Sequence, residues 1–106
     1  MLDRSIQPLI REPEQLAVPS PECRVMKNGI PLYILNAGDN EVVRIDLLIE
    51  GGRWQQSQRL QALFTNRMLR EGTRRYSAAA IAEKLDYYGA WLELSSSSEY
   101  AYIILY

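Results

Sequence analysis

The spacing of apolar residues predicts a β-strand over residues 42–49. Its apolar members recur at every second position, as Val43, Ile45, Leu47 and Ile49. Arg44 and Asp46 fall between them, so we expect one buried and one polar face. Two more strands are predicted at 91–95 and 100–106, and the second of these alternates tyrosines with aliphatic residues.

Helical spacing predicts two helices between these strands. The first covers Ser57 to Arg70, with an apolar stripe formed by Leu60, Leu63, Phe64 and Met68, and Gly72 follows its end. The second begins after Ser77, a favourable N-cap residue, and ends at Gly89, which adopts a left-handed conformation at low cost. Its stripe comprises Ala78, Ile81, Ala82, Leu85 and Tyr88.

The first forty residues divide into an arm and a hairpin. Prolines at 8, 13, 19 and 21 oppose regular structure over residues 1–22, which we expect to be either disordered or laid extended across a surface, with docking favoured. Short strands at 24–27 and 30–35 are predicted to join at Asn28-Gly29, since both residue types tolerate positive φ. Strands, two helices and further strands indicate an α+β fold, a mostly antiparallel sheet with helices packed on one face.

Composition excludes several classes of function. The 106 residues suit one small domain, and the net charge of −1 leaves no basic stripe for nucleic acid. No apolar run approaches the ~20 residues that span a membrane, and the first residues lack the apolar core of a signal peptide. The single Cys23 cannot form an internal disulfide. We therefore expect a cytoplasmic protein without a membrane or nucleic-acid partner.

One segment carries a family resemblance. Met68-Leu69 and Gly72-Thr73 resemble residues that follow the inverted zinc motif, H-x-x-E-H, of the insulinase/pitrilysin metallopeptidases. Other segments are similar to that family in order and spacing: Asn28-Gly29, Gly51-Gly52-Arg53, the run from Ser77 to Leu85, and Gly89-Ala90. The resemblance covers about Arg24 to Tyr106, which it identifies as the first half of one peptidase-like domain (residues 23–106 after the arm).

The resemblance places the zinc motif on residues that do not bind zinc. It puts the two histidines at Leu63 and Arg67 and the catalytic glutamate at Asn66, and the chain contains no histidine. Catalytic zinc needs three protein ligands, and an amide cannot act as a base at neutral pH. We therefore expect no catalysis and no cofactor in this chain, with zinc left to a partner or to the rest of a parent protein.

The degenerate positions also have structural interpretations. Leu63 is expected in the core beside Leu60 and Phe64. Arg67 either covers the core with its aliphatic stem while its head reaches water, or pairs with a carboxylate supplied from elsewhere that would fill the vacated metal pocket.

Peptide binding is a further implication of the resemblance, because family members bind substrates as an added strand on a sheet edge. The candidate residues lie on the last two strands: Trp91, Leu92, Glu93, Leu94, Tyr100 and Tyr102. The same strands can instead be interior.

Three functions follow. The first is an inactive homologue that serves structure and substrate binding beside a zinc-bearing homologous subunit or the second half of the same protein. The second is an inert lobe or fragment of an active zinc peptidase whose metal site lies outside this chain. The third is a stand-alone binding domain.

Overall fold

A computed structural model describes Ser5 and residues 17–106, and the chain divides into two compact units, residues 1–40 and 41–106. The predicted arm lies largely outside the described residues. The predicted α+β class is confirmed: the described part contains two α-helices, a short 3-10 turn and five antiparallel strands in two sheets.

The first unit contains the predicted hairpin. Strand β1 (Glu22–Val25) pairs antiparallel with β2 (Pro31–Ile34). Within the turn, Gly29 alone takes a positive φ, of 83°, whereas the Asn28 side-chain oxygen accepts a hydrogen bond from the Ile30 N–H. The connection is thus a three-residue loop closed by glycine rather than a two-residue turn with two left-handed residues.

A three-stranded sheet organises the second unit. Its strands are β3 (Ile45–Ile49), β4 (Leu92–Ser96) and β5 (Ala101–Leu105), in the antiparallel order β3-β5-β4. The register aligns Ile45 with Leu105 and Leu105 with Leu92, so the odd-numbered residues of β3 share a face with apolar residues of the other strands. The predicted ends of β4 and β5 are correct to within one residue.

The expected buried face of β3 is wrong. Ile45, Leu47 and Ile49 do share one face, but each remains between 45 and 57 % exposed. Within the described residues, the buried apolar side chains are those of Ala62, in helix α1 (Gln61–Arg67), and Ile104, in β5. The strand also starts at Ile45 rather than at the predicted Val42. Val42 and Val43 lie in an irregular segment before it. Periodicity identified the shared face correctly, but it cannot show whether another element covers that face.

Helix α1 begins four residues later than predicted. Leu60 precedes it with φ of 70°, a left-handed conformation that interrupts the helical path between Ser57 and Gln61. The Gln61 side-chain oxygen accepts hydrogen bonds from the Ser57 N–H, the Ser57 hydroxyl and the Gln58 N–H, which holds this segment as a turn. A 3-10 turn (Met68–Arg70) continues from the end of α1.

Helix α2 (Ala78–Tyr88) forms where predicted. The Ser77 hydroxyl oxygen accepts a hydrogen bond from the Ala80 N–H, and Gly89 ends the helix in the left-handed region. The stripe residues Ala78, Ile81, Ala82 and Leu85 border an open hollow with Leu92, whereas Tyr88 is exposed, and no residue of the helix is fully buried. Helix α1 packs against β4 and β5; the placement of both helices on one sheet face stays a prediction.

No helix in the described part of the chain is long and apolar enough to cross a lipid bilayer.

Gly52 fastens the segment before α1 to the turn between β4 and β5. Its N–H donates to the Glu99 carbonyl oxygen, and the N–H groups of Arg53 and Trp54 donate to the carbonyl oxygens of Ser97 and Ser98. A Cβ on Gly52 would lie 2.5 Å from the Ser98 carbonyl oxygen, so only glycine permits this approach.

We predict that Gly52→Ala lowers the free energy of unfolding by about 1–3 kcal/mol, because backbone atoms must shift to admit the methyl group. Gly51→Ala is the matched control, since a Cβ there meets its nearest atom at 3.8 Å, an ordinary contact. Urea denaturation measures both. Equal stabilities for the two variants would contradict the close approach.

A second prediction concerns the left-handed Leu60. We expect Leu60→Gly to be more stable than Leu60→Ala by about 1 kcal/mol, since only glycine adopts this conformation freely. At Thr65, within α1, the order should reverse, with Thr65→Ala more stable than Thr65→Gly by up to about 1 kcal/mol. Thermal denaturation compares the pairs, and alanine being favoured at both positions would refute the left-handed assignment.

Candidate functional site

The residue at the predicted catalytic-glutamate position is the most buried polar side chain of the site. Asn66 is 3 % exposed, and it shares the buried face of α1 with Ala62, one turn earlier. The predicted apolar stripe is therefore wrong for this helix: Leu60, Phe64 and Met68 are exposed, and Leu63 is half-buried. Helix α1 turns an alanine and an amide towards the protein instead of its larger apolar residues.

The Asn66 amide joins α1 to the β4–β5 ladder. Its nitrogen, Nδ2, donates to the Ser95 carbonyl oxygen at 2.8 Å and to the Tyr102 carbonyl oxygen at 3.3 Å. Ser95 and Tyr102 are directly opposite each other in the register, so one side chain bridges both strands. The contact joins residues 29 and 36 positions apart in sequence.

The orientation of this amide follows from the chemistry of its partners. Carbonyl oxygens only accept hydrogen bonds, so the donating nitrogen must face Ser95 and Tyr102. The other amide atom, Oδ1, is buried without a hydrogen-bond partner in the described part of the chain. Leaving that acceptor unsatisfied carries a desolvation cost that the two bonds made by Nδ2 offset.

A carboxylate does not fit the place that Asn66 occupies. An ionised carboxyl group only accepts hydrogen bonds, so two carbonyl oxygens would face it with negative partial charge. The same position therefore favours an amide over a glutamate base. A carboxylate base and the contact made here are incompatible in this arrangement.

The neighbouring residues do not fit a zinc ion either. Leu63 offers no donor atom, and Arg67 is an exposed cation. Within residues 17–106, no three His, Cys, Asp or Glu side chains are grouped closely enough to hold a metal ion. The exposed position of Arg67 agrees with a guanidinium that reaches water; its pairing with a carboxylate from another molecule stays a hypothesis.

The predicted peptide-binding residues fall on two different kinds of strand. Strand β5 is central and paired on both sides, so Tyr102 lies on an interior strand, and Tyr100 lies in the turn that precedes it. Strand β4 is at the sheet edge, and it carries Leu92, Glu93 and Leu94. Trp91 precedes β4 and exchanges two backbone hydrogen bonds with Tyr106.

The hydrogen-bond pattern shows which backbone groups point out from β4. Bonded pairs alternate along an antiparallel ladder. Since Trp91 bonds to Tyr106 and Ser97 to Tyr100, the backbone groups of the even-numbered residues 92, 94 and 96 point away from β5. Arg70 already donates from Nη2 to the Leu92 carbonyl oxygen at 3.2 Å. The Leu92 N–H and the backbone groups of Leu94 and Ser96 are the remaining outward groups.

The described residues contain one clear pKa shift, and it lies outside this site. A hydrogen bond from Arg44 to Asp46 raises the pKa of the guanidinium, with burial opposing and the Asp46 charge adding to the effect. An arginine is charged at neutral pH in any case. The shift therefore adds no acid–base chemistry.

The sequence pattern does not reveal the role of Asn66 or its two carbonyl partners. Backbone carbonyls carry no sequence signal, and the strand register that brings Ser95 beside Tyr102 is a tertiary property. The sequence does contain one signal. Asn66, a short amide, follows Ala62 by one helical turn in a helix whose larger apolar residues lie on other faces.

We predict that Asn66→Asp lowers the free energy of unfolding by about 3 kcal/mol at neutral pH, because a buried carboxylate would face two carbonyl oxygens. This environment raises the folded-state pKa of the introduced carboxyl group above its unfolded value of about 3.9. Relative to the unaltered chain, the free energy of unfolding of Asn66→Asp should therefore be highest below about pH 4. It should fall as the pH rises towards the folded-state pKa and then level off.

Two variants control for this measurement. Asn66→Ala should cost about 1–3 kcal/mol without adding any pH dependence, since it removes the hydrogen bonds without adding a charge. Asn40→Asp introduces a carboxyl group at an exposed bend and should change stability little. Urea denaturation between pH 3 and 8 tests all three. If Asn66→Asp followed the pH dependence of Asn40→Asp, the amide would not occupy the described place.

No protein-family model matches the chain, and no curated protein matches it. The insulinase resemblance therefore depends on the residues and spacings of the sequence itself.

Proposed function

We propose that this chain is a catalytically inactive homologue of the insulinase-type peptidases. In this proposal it serves as a structural and substrate-binding partner of a zinc-bearing homologue. The observation that carries the proposal is the hydrogen bonding of Asn66 to the Ser95 and Tyr102 carbonyl oxygens. A position that the resemblance assigns to a catalytic base holds a donor that fastens a helix to a sheet. In this proposal, the order of helices and strands is kept while the residue types needed for catalysis have been replaced.

The edge of β4 supports the substrate-binding part of the proposal. Leu94 and Ser96 direct backbone groups away from β5, and these are the groups that pair with an added peptide strand. The hydrogen bonds of Asn66 and the packing of α1 both stabilise the same two strands. A rigid edge binds an extended peptide at lower entropic cost than a mobile one.

Exposed apolar residues support the partner part of the proposal. One face of β3 carries Ile45, Leu47 and Ile49, all largely exposed, and α1 exposes Phe64. Clustered apolar residues of this kind mark surfaces that another protein segment covers. A homologous subunit or a second half of the same protein would cover them, and both occupants are compatible with the first and second functions considered above.

The test uses the full natural gene product, purified through an affinity tag from its native host. We expect it to co-purify with a homologue that carries H-x-x-E-H. Separated from that partner, it should hold no stoichiometric zinc and cleave no peptide, yet bind peptides in a fluorescence anisotropy assay. Replacing the partner's motif glutamate should abolish peptidase activity, whereas Arg67→Met in this chain should leave it intact.

Two results would contradict the proposal. Stoichiometric zinc and peptidase activity in the isolated gene product would favour an inert lobe of an active enzyme. A product that binds neither a homologue nor peptides would leave a stand-alone domain with no relation to proteolysis.

A further inference from the structure

An open hollow of about 530 Å³ lies beside α1 and the edge of β4. Apolar and cationic side chains share its lining, which consists of Arg53, Gln56, Arg59, Leu60, Leu63 and Ser96. Leu63 is the residue at the first predicted metal-histidine position, so the hollow adjoins the place where the resemblance would put zinc. Ser96 belongs to β4 and is one of the residues whose backbone groups point out from the sheet.

The charge of this hollow is one-sided. Arg53 and Arg59 line it together, and no carboxylate is among its lining residues. Within residues 17–106 the ion pairs join Arg24 to Glu22 and Arg44 to Asp46, so neither arginine of the hollow has an acidic partner there. By contrast, the hollow between α2 and β4 contains both Glu71 and Asp86. The hollow therefore carries two positive charges and no carboxylate in its lining.

Hydrogen bonds hold Arg53 near the hollow and close the turn that contains Arg59. The Arg53 N–H donates to the Ser97 carbonyl oxygen, and its guanidinium Nη2 donates to the Ser98 hydroxyl at 2.9 Å. Arg59 lies in the turn that the Gln61 side-chain oxygen closes through Ser57 and Gln58. Such pre-arrangement reduces the entropy lost when a ligand binds.

We propose that this hollow selects an acidic side chain of a peptide bound along the β4 edge. The inference rests on the proposed peptide-binding function and adds a substrate class to it. A peptide paired with Ser96 passes the mouth of the hollow, where one of its carboxylates meets Arg53 and Arg59. The apolar surface of Leu60 and Leu63 accommodates the methylene groups or the neighbouring apolar residue. Guanidinium groups suit this role because their planar fork of donors matches a carboxylate.

The experiment measures fluorescence anisotropy of two labelled peptides with the full chain. The peptides alternate apolar and polar residues and differ at one central position, which is Glu in one and Gln in the other. We expect the Glu peptide to bind about five- to tenfold more tightly at low ionic strength, as partly exposed ion pairs allow. The preference should shrink as salt screens the charges.

Matched variants assign the preference to the hollow. The double variant Arg53→Gln with Arg59→Gln should bind both peptides equally. Arg74→Gln with Arg75→Gln removes the same charge from the turn before α2, outside the hollow, and should keep the preference. Since Arg53 also bonds to Ser98, Arg59→Gln alone is the second test, and it should lose part of the preference without unfolding. Circular dichroism verifies the fold of each variant.

The outcomes separate this inference from the function on which it depends. Equal binding of the Glu and Gln peptides to the unaltered chain would overturn the acidic selectivity and leave peptide binding intact. Binding of neither peptide would overturn both. Inorganic phosphate and acetate serve as competitors. If phosphate displaced the peptide at a concentration at which acetate had no effect, the ligand would be a phosphate rather than a carboxylate, and the proposal would be overturned.

Discussion

The second unit of this protein depends on an amide that donates to two backbone carbonyls. Asn66 reaches from α1 to Ser95 and Tyr102, and it is the buried polar residue of that unit. A hydrogen bond of this kind is modest when it is made and costly when one partner is lost. The residue type at position 66 is therefore fixed by the carbonyls it faces. That constraint excludes an ionised carboxyl group at this position, since it could not donate to either carbonyl oxygen.

The β4–β5 hairpin is the element to which the rest of the site is attached. Asn66 fastens α1 to its strands, while Gly52 and the following two residues fasten the preceding segment to its turn. Arg53 and Ser96 border the same hollow as a result. The hairpin thus sets the positions of a sheet edge and of Arg53, whereas Arg59 lies in the turn that Gln61 closes. The proposed binding of a peptide would use this arrangement.

Local signals predicted some elements well and others poorly. Ser77 and Gly89 both act within one turn of α2, so the sequence located that helix correctly. The predicted start of α1 is too early because Leu60, a good helix former, takes a left-handed conformation, which apolar spacing does not reveal. Its buried face was misjudged because apolar spacing favours leucine and phenylalanine, whereas the structure buries an alanine and an amide. The face of β3 was identified but not its exposure, since exposure depends on what packs against a strand.

Hydrogen exchange of the Asn66 side-chain amide, followed by nuclear magnetic resonance, measures most directly whether this amide is bonded to the sheet. We predict that the Asn66 Nδ2 proton facing the sheet exchanges with solvent far more slowly than the side-chain amide protons of the exposed Asn36 and Asn40. Its protection should approach that of the backbone amides in β5. Exchange of the Asn66 amide at the rate of those exposed side chains would contradict the account.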